Sequence, residues 1–406
     1  MGAVDSTDPA TTVYTAGRTF WHGPHMPPEP GTIDFDPRTR TLVQPGGLAR
    51  LGELVRPLGR VVLLVTDAGL AAAGHLARAT ESLAAAGCEV HLFDRVVPNP
   101  TTDDVAACAD FARPLGIEAV VGLGGGSSMD CAKGTLFLLA GGGTMHDYKG
   151  VGRGRGEFRP LVAVPTTSGT GSEAQSFAVI SDAATHLKMA CGDKRAAARV
   201  ALLDAELTLT MPPEVTHLTG LDAISHAVET QVTRPASVVS RMFSQQAWTL
   251  LSRSFPVVCE RPGDVEARSD MLLGAHLAGM AIECSMLGAA HALANPLTAH
   301  YGTPHGQAVS VMLPHVVRWN AAGGVDYGPL GPGEQLADRL TGFVEAAGLP
   351  TTLAGIGVQA DAIPQMAAEA AEQWTGTFNP RPLGVDEAAK LYRRAMPAAA
   401  MTGAAS

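Results

Sequence analysis

The apolar positions divide the chain into two halves of different texture. In the first half, short apolar runs alternate with longer amphipathic ones. Residues 41–43 predict a short strand, and Gly46-Gly47 open a short helix that Pro57 stops at about Arg56. Residues 61–67 are almost continuously apolar, as expected of a strand covered on both faces. A helix is predicted from about Leu70 to Ala86, ended by Gly87, and a strand over 89–93. Thr101 and Thr102 are suited to cap a helix whose first turn carries Asp103 and Asp104. A third strand is predicted over 119–123, followed by a glycine loop and a helix to about Leu139, and a fourth over 160–164.

Strands alternating with helices predict a doubly wound parallel sheet. Ligands of such sheets bind beyond the carboxyl ends of the strands, where Asp67, Gly124 and Pro165 fall. After Met211-Pro212-Pro213 the pattern becomes helical, with Ala-rich amphipathic stretches at 224–230, 238–251, 265–283 and 385–395. The expected organisation is a polar, Pro-rich arm (1–30), an α/β dinucleotide-binding domain (31–208) and an all-α domain (209–406).

Composition narrows this picture. The chain has 406 residues, 46% of them hydrophobic, enough for two buried cores. A net charge of −10 and the lack of a long basic stripe argue against nucleic acid and anionic membrane as partners. The six cysteines are scattered, which predicts a reducing, cytoplasmic setting without a disulfide framework. No run approaches a membrane span of ~18 apolar residues. Met1-Gly2-Ala3-Val4-Asp5-Ser6 fits a loose N-myristoylation pattern, but no polybasic segment accompanies it.

Candidate chemistry lies in three places. In Val120 to Ser128, a strand leads through Gly124-Gly125-Gly126-Ser127 into a helix, an arrangement whose free N–H groups cradle phosphate; its spacing is not G-x-G-x-x-G. Pro165-Thr166-Thr167-Ser168-Gly169-Thr170-Gly171-Ser172-Glu173 sets five hydroxyls after a buried strand. They suit a nucleotide's phosphates, although one or two are expected to cap their own backbone. Asp67 suits either a ribose diol, which favours NAD over NADP, or an ordinary helix N-cap. Further along, Asp222 and His226 are one helical turn apart, and His291 and His305 flank Pro296 and a Tyr301-Gly302-Thr303-Pro304 turn signal. These four are either a cage for a divalent transition metal or an Asp–His pair with histidines in turns.

Here the chain resembles the iron-containing (group III) alcohol dehydrogenases, from about residue 31 onward. The likeness rests on Val-Pro-Asn-Pro (97–100), Gly-Gly-Gly-Ser-Ser-Met-Asp (124–130), the 165–173 loop, Gly-Leu-Asp-Ala-Ile-Ser-His-Ala-Val-Glu (220–229), His-Ala-Leu-Ala-Asn-Pro-Leu (291–297) and Pro-His-Gly (304–306). The resemblance implies an active site in the cleft between the two domains. It implies that Asp222, His226, His291 and His305 hold Fe(II), or Zn(II) in some members. It also implies NAD contacts from Asp67, Asn99, Gly125, Gly126, Ser127, Thr166, Thr167, Thr170 and Lys188, hydride transfer to or from a small alcohol or aldehyde, and a homodimer. Asn295 stands where many members carry a proton-relaying histidine; His300 is nearby as a substitute. Competing expectations are a dehydroquinate synthase-like lyase with no net redox change, a specialised reductase of an acidic aldehyde, and a non-catalytic nucleotide-binding or metal-sensing protein. Arg153, Arg155 and His186 suit either the cleft or the solvated surface.

Overall fold

The computed structural model describes residues 35–185 and 187–397. The expected arm at 1–30, the Met1–Ser6 pattern and His186 lie outside them. Nine strands are described: β1 (Arg40–Val43), β2 (Val61–Val65), β3 (Glu89–Phe93), β4 (Ala119–Gly124), β5 (Gly150–Val151), β6 (Leu161–Pro165), β7 (Phe177–Ser181), β8 (Lys188–Gly192) and β9 (Val200–Leu203). Helices α1 (Leu51–Val55), α2 (Ala68–Ala72), α3 (His75–Ala85), α4 (Thr102–Ala112) and α5 (Gly126–Gly141) accompany them. The main sheet is wholly parallel in the order β1-β9-β6-β4-β2-β3.

The pleat explains the apolar runs. On one face Leu63, Val65, Val120 and Ala163 pack under α4 and α5. On the other, Val62, Leu64, Val121, Leu123, Val162 and Val164 pack with α1 and α3. Both faces are covered, so alternation with polar residues is absent. The helix expected over 70–86 is split into α2 and α3, because Gly74 adopts φ +77 between them. Thr101 caps α4 in a reciprocal capping box with Asp104.

A second, small sheet was not anticipated. It comprises β5, β8 and β7, with β7 and β8 forming an antiparallel hairpin over α5. Ala178, Ile180, Met189 and Cys191 point into the core beside α5, so the register turns Phe177, Val179, Lys188 and Ala190 the other way.

From Pro213 the chain is helical: α6 (Pro213–Thr230), α7 (Val238–Glu260), α8 (Val265–Ser285), α9 (Ala289–Tyr301), α10 (His305–Ala322), α11 (Gly333–Ala346), α12 (Ile363–Glu372) and α13 (Val385–Ala395). α6 begins three turns before the expected 224, with Pro213 at its first position, where a missing N–H costs nothing. Leu221, Ile224, Val228, Leu251, Phe255, Met271, Leu293 and Val309 share one core. Among the described residues no single helix is long and apolar enough to cross a membrane.

Candidate active site

The main sheet reverses its winding between β2 and β4, and the crevice beyond their carboxyl ends is the expected ligand position. Gly124 ends β4 with φ +146, and α5 starts at Gly126. The first amides of α5 have no intrahelical acceptor and are available to an anion. The threonine loop lies directly against them. A Cβ at Gly126 would come within 2.7 Å of Thr170 Cγ2, and one at Gly125 within 3.4 Å of Thr167 Cγ2. Thr166 N–H donates to Gly124 O at 2.9 Å. Asn99 holds φ +53 and donates its N–H to Ser127 Oγ at 3.2 Å, tying the 97–100 turn to the cradle.

Two of the five loop hydroxyls serve the protein itself. Thr170 Oγ1 accepts the Ser172 N–H, and Ser172 Oγ donates to Asp130. Lys133, fully buried, donates to Ser172 O, Ser172 Oγ and Phe177 O and lies 3.6 Å from Asp130. Ser168 Oγ is buried without a protein partner. Asp67 caps α2 through the Gly69 N–H and also accepts from Ser128 Oγ at 3.4 Å, so the N-cap reading is realised at the mouth of the crevice.

The metal candidates converge from three helices. Asp222 and His226 share one face of α6, His291 lies in the first turn of α9, and His305 is the first residue of α10. The Nε2 atoms of His226, His291 and His305 lie 3.3, 3.6 and 3.8 Å from Asp222 Oδ1. Asp222, His226 and His291 are buried, and His305 is part-exposed. Yet Asp222 Oδ1 and His291 Nε2 make no hydrogen bond. A mere Asp–His pair would align donor with acceptor, since burying either group unpaired costs on the order of 1–3 kcal/mol. Three imidazole nitrogens aimed at one free carboxylate oxygen instead fit a divalent cation of the iron or zinc type.

Local charges act unevenly on the three rings. Burial opposes protonation of His291, but Glu229 and Asp222 outweigh it and push its pKa up to about 9. Burial, with Lys188 adding to it, pushes His305 down to about 3. Burial also lowers His226, partly offset by Asp222. For Asp222 burial raises the pKa, and the three histidines overcome it, holding the carboxyl well below its usual range.

Sequence reasoning overlooked Glu229. Its Oε2 is 2.6 Å from His291 Nδ1, and the same carboxylate accepts the Gly288 and Ala290 N–H groups. It fixes both the ring and the start of α9, as carboxylates behind metal-binding histidines do. Its spacing was a usable signal, because Glu229 follows Asp222 by seven and His226 by three, on one helical face.

The expectation for His300 needs correction. It pairs with Glu369 of α12 at 2.6 Å, and nine residues of helix put it about 13 Å along α9 from His291. Asn295, one turn from His291, donates to Gln373 Oε1 at 2.9 Å. Arg155 packs on Tyr148 at the far end of α5, and both Arg153 and Arg155 are exposed. Lys188 is also solvent-accessible; the surrounding walls lower its pKa, opposed by Asp222 and Asp130.

Comparison with known proteins agrees with this geometry. The family description "Iron-containing alcohol dehydrogenase" matches residues 38–205, and its C-terminal counterpart matches 216–326. The chain is 32% identical to the NAD-dependent methanol dehydrogenase of Bacillus methanolicus, over 86% of this chain and 96% of that one. The crystal structure of a 1,3-propanediol oxidoreductase superposes with a TM-score of 0.85 at 31% identity, covering 90% of this chain and 100% of the other. A sulfoacetaldehyde reductase from Bifidobacterium kashiwanohense, solved with NAD+, gives 0.82 at 25% identity, covering 91% and 100%. Of the enzyme classes weighed, dehydrogenase stands over lyase, and the chain belongs to the iron-containing alcohol dehydrogenase family of oxidoreductases.

Proposed function

We propose that this chain is an NAD-linked, metal-dependent alcohol dehydrogenase that also runs as an aldehyde reductase. Asp222, His226, His291 and His305 would hold Fe(II), or Zn(II) in its place. Asp67, Asn99, Gly124, Gly125, Gly126, Ser127, Thr166, Thr167, Thr170 and Lys188 would hold NAD, with the Asp67 carboxylate disfavouring a 2′-phosphate. The observation that carries the reading is Asp222 Oδ1, buried and unbonded, with three imidazole nitrogens within 3.8 Å. When bound, the metal supplies a Lewis acid for the substrate oxygen and NAD supplies the hydride acceptor.

The chain's own residues position and exclude. Glu229 fixes His291, while the glycine cradle and Thr166–Thr170 seat the dinucleotide across the β2/β4 crevice. Asn295 is neutral and tied to Gln373, and His300 is turned to Glu369, so the substrate proton leaves through water or a ribose hydroxyl. We place the domain division near residue 209, between β9 and α6, and take a cytoplasmic homodimer as the working assembly. Metal content and NADH oxidation against short aldehydes, measured on anaerobically purified protein, test the reading. About one iron or zinc per chain with NADH consumption is expected. Failure to take up metal even after reconstitution, or an Asp222→Ala variant that keeps both metal and turnover, sinks it.

A further inference from the structure

The outward face of the β7–β8 hairpin meets the helical domain at both ends. At one end Lys188 interacts electrostatically with Asp222 and His305. At the other, the Phe177 ring lies tilted against Trp374, with ring centroids 6.4 Å apart. Between them Val179, on the same face, is 37% exposed beside its pair partner Ala190. This strip is therefore one wall of the cleft, and it is mainly apolar.

Trp374 is brought to the metal ligands by the opposite wall. It begins the short 3-10 turn Trp374–Phe378, in which a Cβ at Gly376 would lie 3.3 Å from Ala292 Cβ, next to His291. Gln373, just before it, bonds to Asn295, and Asn379, just after it, accepts the Ala289 N–H. Phe378 packs edge-on to Trp374 at 5.5 Å. The indole is nonetheless 36% exposed, whereas Trp248 and Trp319 are 5% and 8% exposed. A large ring held by Phe177 and Phe378 and still 36% exposed offers surface to an apolar ligand.

We propose that Phe177 and Trp374, one from each domain, form the wall that receives the hydrocarbon part of the substrate, with Val179 between them and the metal site. The preferred substrates are then primary alcohols or aldehydes with an aromatic or medium-chain aliphatic substituent, rather than short hydroxylated or acidic carbonyl compounds. This rests on the proposed function for the metal and NAD sites and adds which side chains choose the substrate. Trp374 and Phe177 are specificity residues here because they touch the substrate without touching the reacting atoms.

The test uses the metal-loaded full chain with NAD. kcat/KM should rise about fourfold for each methylene from ethanol to hexanol. Benzyl alcohol should exceed ethanol, and the benzyl-to-ethanol ratio should drop at least about tenfold in Trp374→Ala while Trp374→Phe holds most of it. Phe177→Leu serves as the second variant if Trp374→Ala does not fold. Independently of turnover, 4-nitrobenzyl alcohol should quench tryptophan fluorescence in the wild type and lose most of that quenching in Trp374→Phe. Turnover that ranks lactaldehyde, 1,3-propanediol or an acidic aldehyde first, or a ratio unmoved by these substitutions, overturns the inference and leaves the dehydrogenase standing. Absence of NAD-linked turnover with every alcohol and aldehyde overturns the proposed function instead, and the quenching titration then decides the apolar wall alone.

Discussion

At the level of single residues, the metal candidates were legible and their support was not. Asp222, His226, His291 and His305 stand out by type, spacing and the turn between the last two. Their convergence was not readable from spacing, because three separate helices contribute. Proximity in sequence favoured His300, but the helix carries it away and Glu369 engages it. Glu229 went unassigned because the ring it engages, His291, lies 62 positions away and meets it only when α9 packs beside α6. Removing only its charge, in Glu229→Gln, should leave the fold intact while the Nδ1–H of His291 loses its carboxylate acceptor. Metal affinity should fall by about 10- to 100-fold, read by competition with a chromophoric chelator. Affinity equal to wild type would mean that Glu229 serves only the backbone of Gly288 and Ala290.

Among the elements, those with a strong period or a clear stop were placed well, and the hairpin was missed. Residues 385–395 have a sharp amphipathic pattern and form α13 as expected. β7 and β8 are five residues each; Phe177-Ala178-Val179-Ile180 is a strand signal that was not taken up, whereas β8 begins with Lys188 and ends with glycine and carries little of one. What makes them strands is α5, which buries Ala178 and Cys191 beneath them. The 165–173 loop depends on α5 in turn. Lys133 and Asp130 hold Ser172 from below, and Gly126 lets Thr170 approach from above. In Gly126→Ala the new methyl would sit 2.7 Å from Thr170 Cγ2, so loop and helix must part. KM for NAD should rise at least about tenfold, a cost of roughly 1.4 kcal/mol, with metal content unchanged. An unchanged KM would show that the dinucleotide does not use this cradle.

For the whole molecule, the fold class was readable because each half keeps its own period, short runs first and helical repeats afterwards. The candidate metal ligands all belong to the helical half, so cation binding should stabilise that half directly. A ligand at 1,000 times its dissociation constant adds about 4 kcal/mol to the folded state. Chelator-treated protein should melt several degrees lower than protein reloaded with Fe(II) or Zn(II) under anaerobic conditions. Equal melting temperatures would mean that the cation does not bind these ligands tightly. Where the halves touch, they touch closely. A Cβ on Gly171, in the 165–173 loop with φ +62, would reach within 2.6 Å of Gly279 Cα on α8, and one on Gly279 within 2.5 Å of Gly171 O. Beside this contact, Glu173 reaches His276 of the same helix at 3.2 Å. Two residues separated by 108 positions must therefore stay small together. Anyone building a chimaera from this chain and a relative has to carry residues 171 and 279 across as a matched set. Otherwise one parent's side chain prises the other parent's 165–173 loop away from α8.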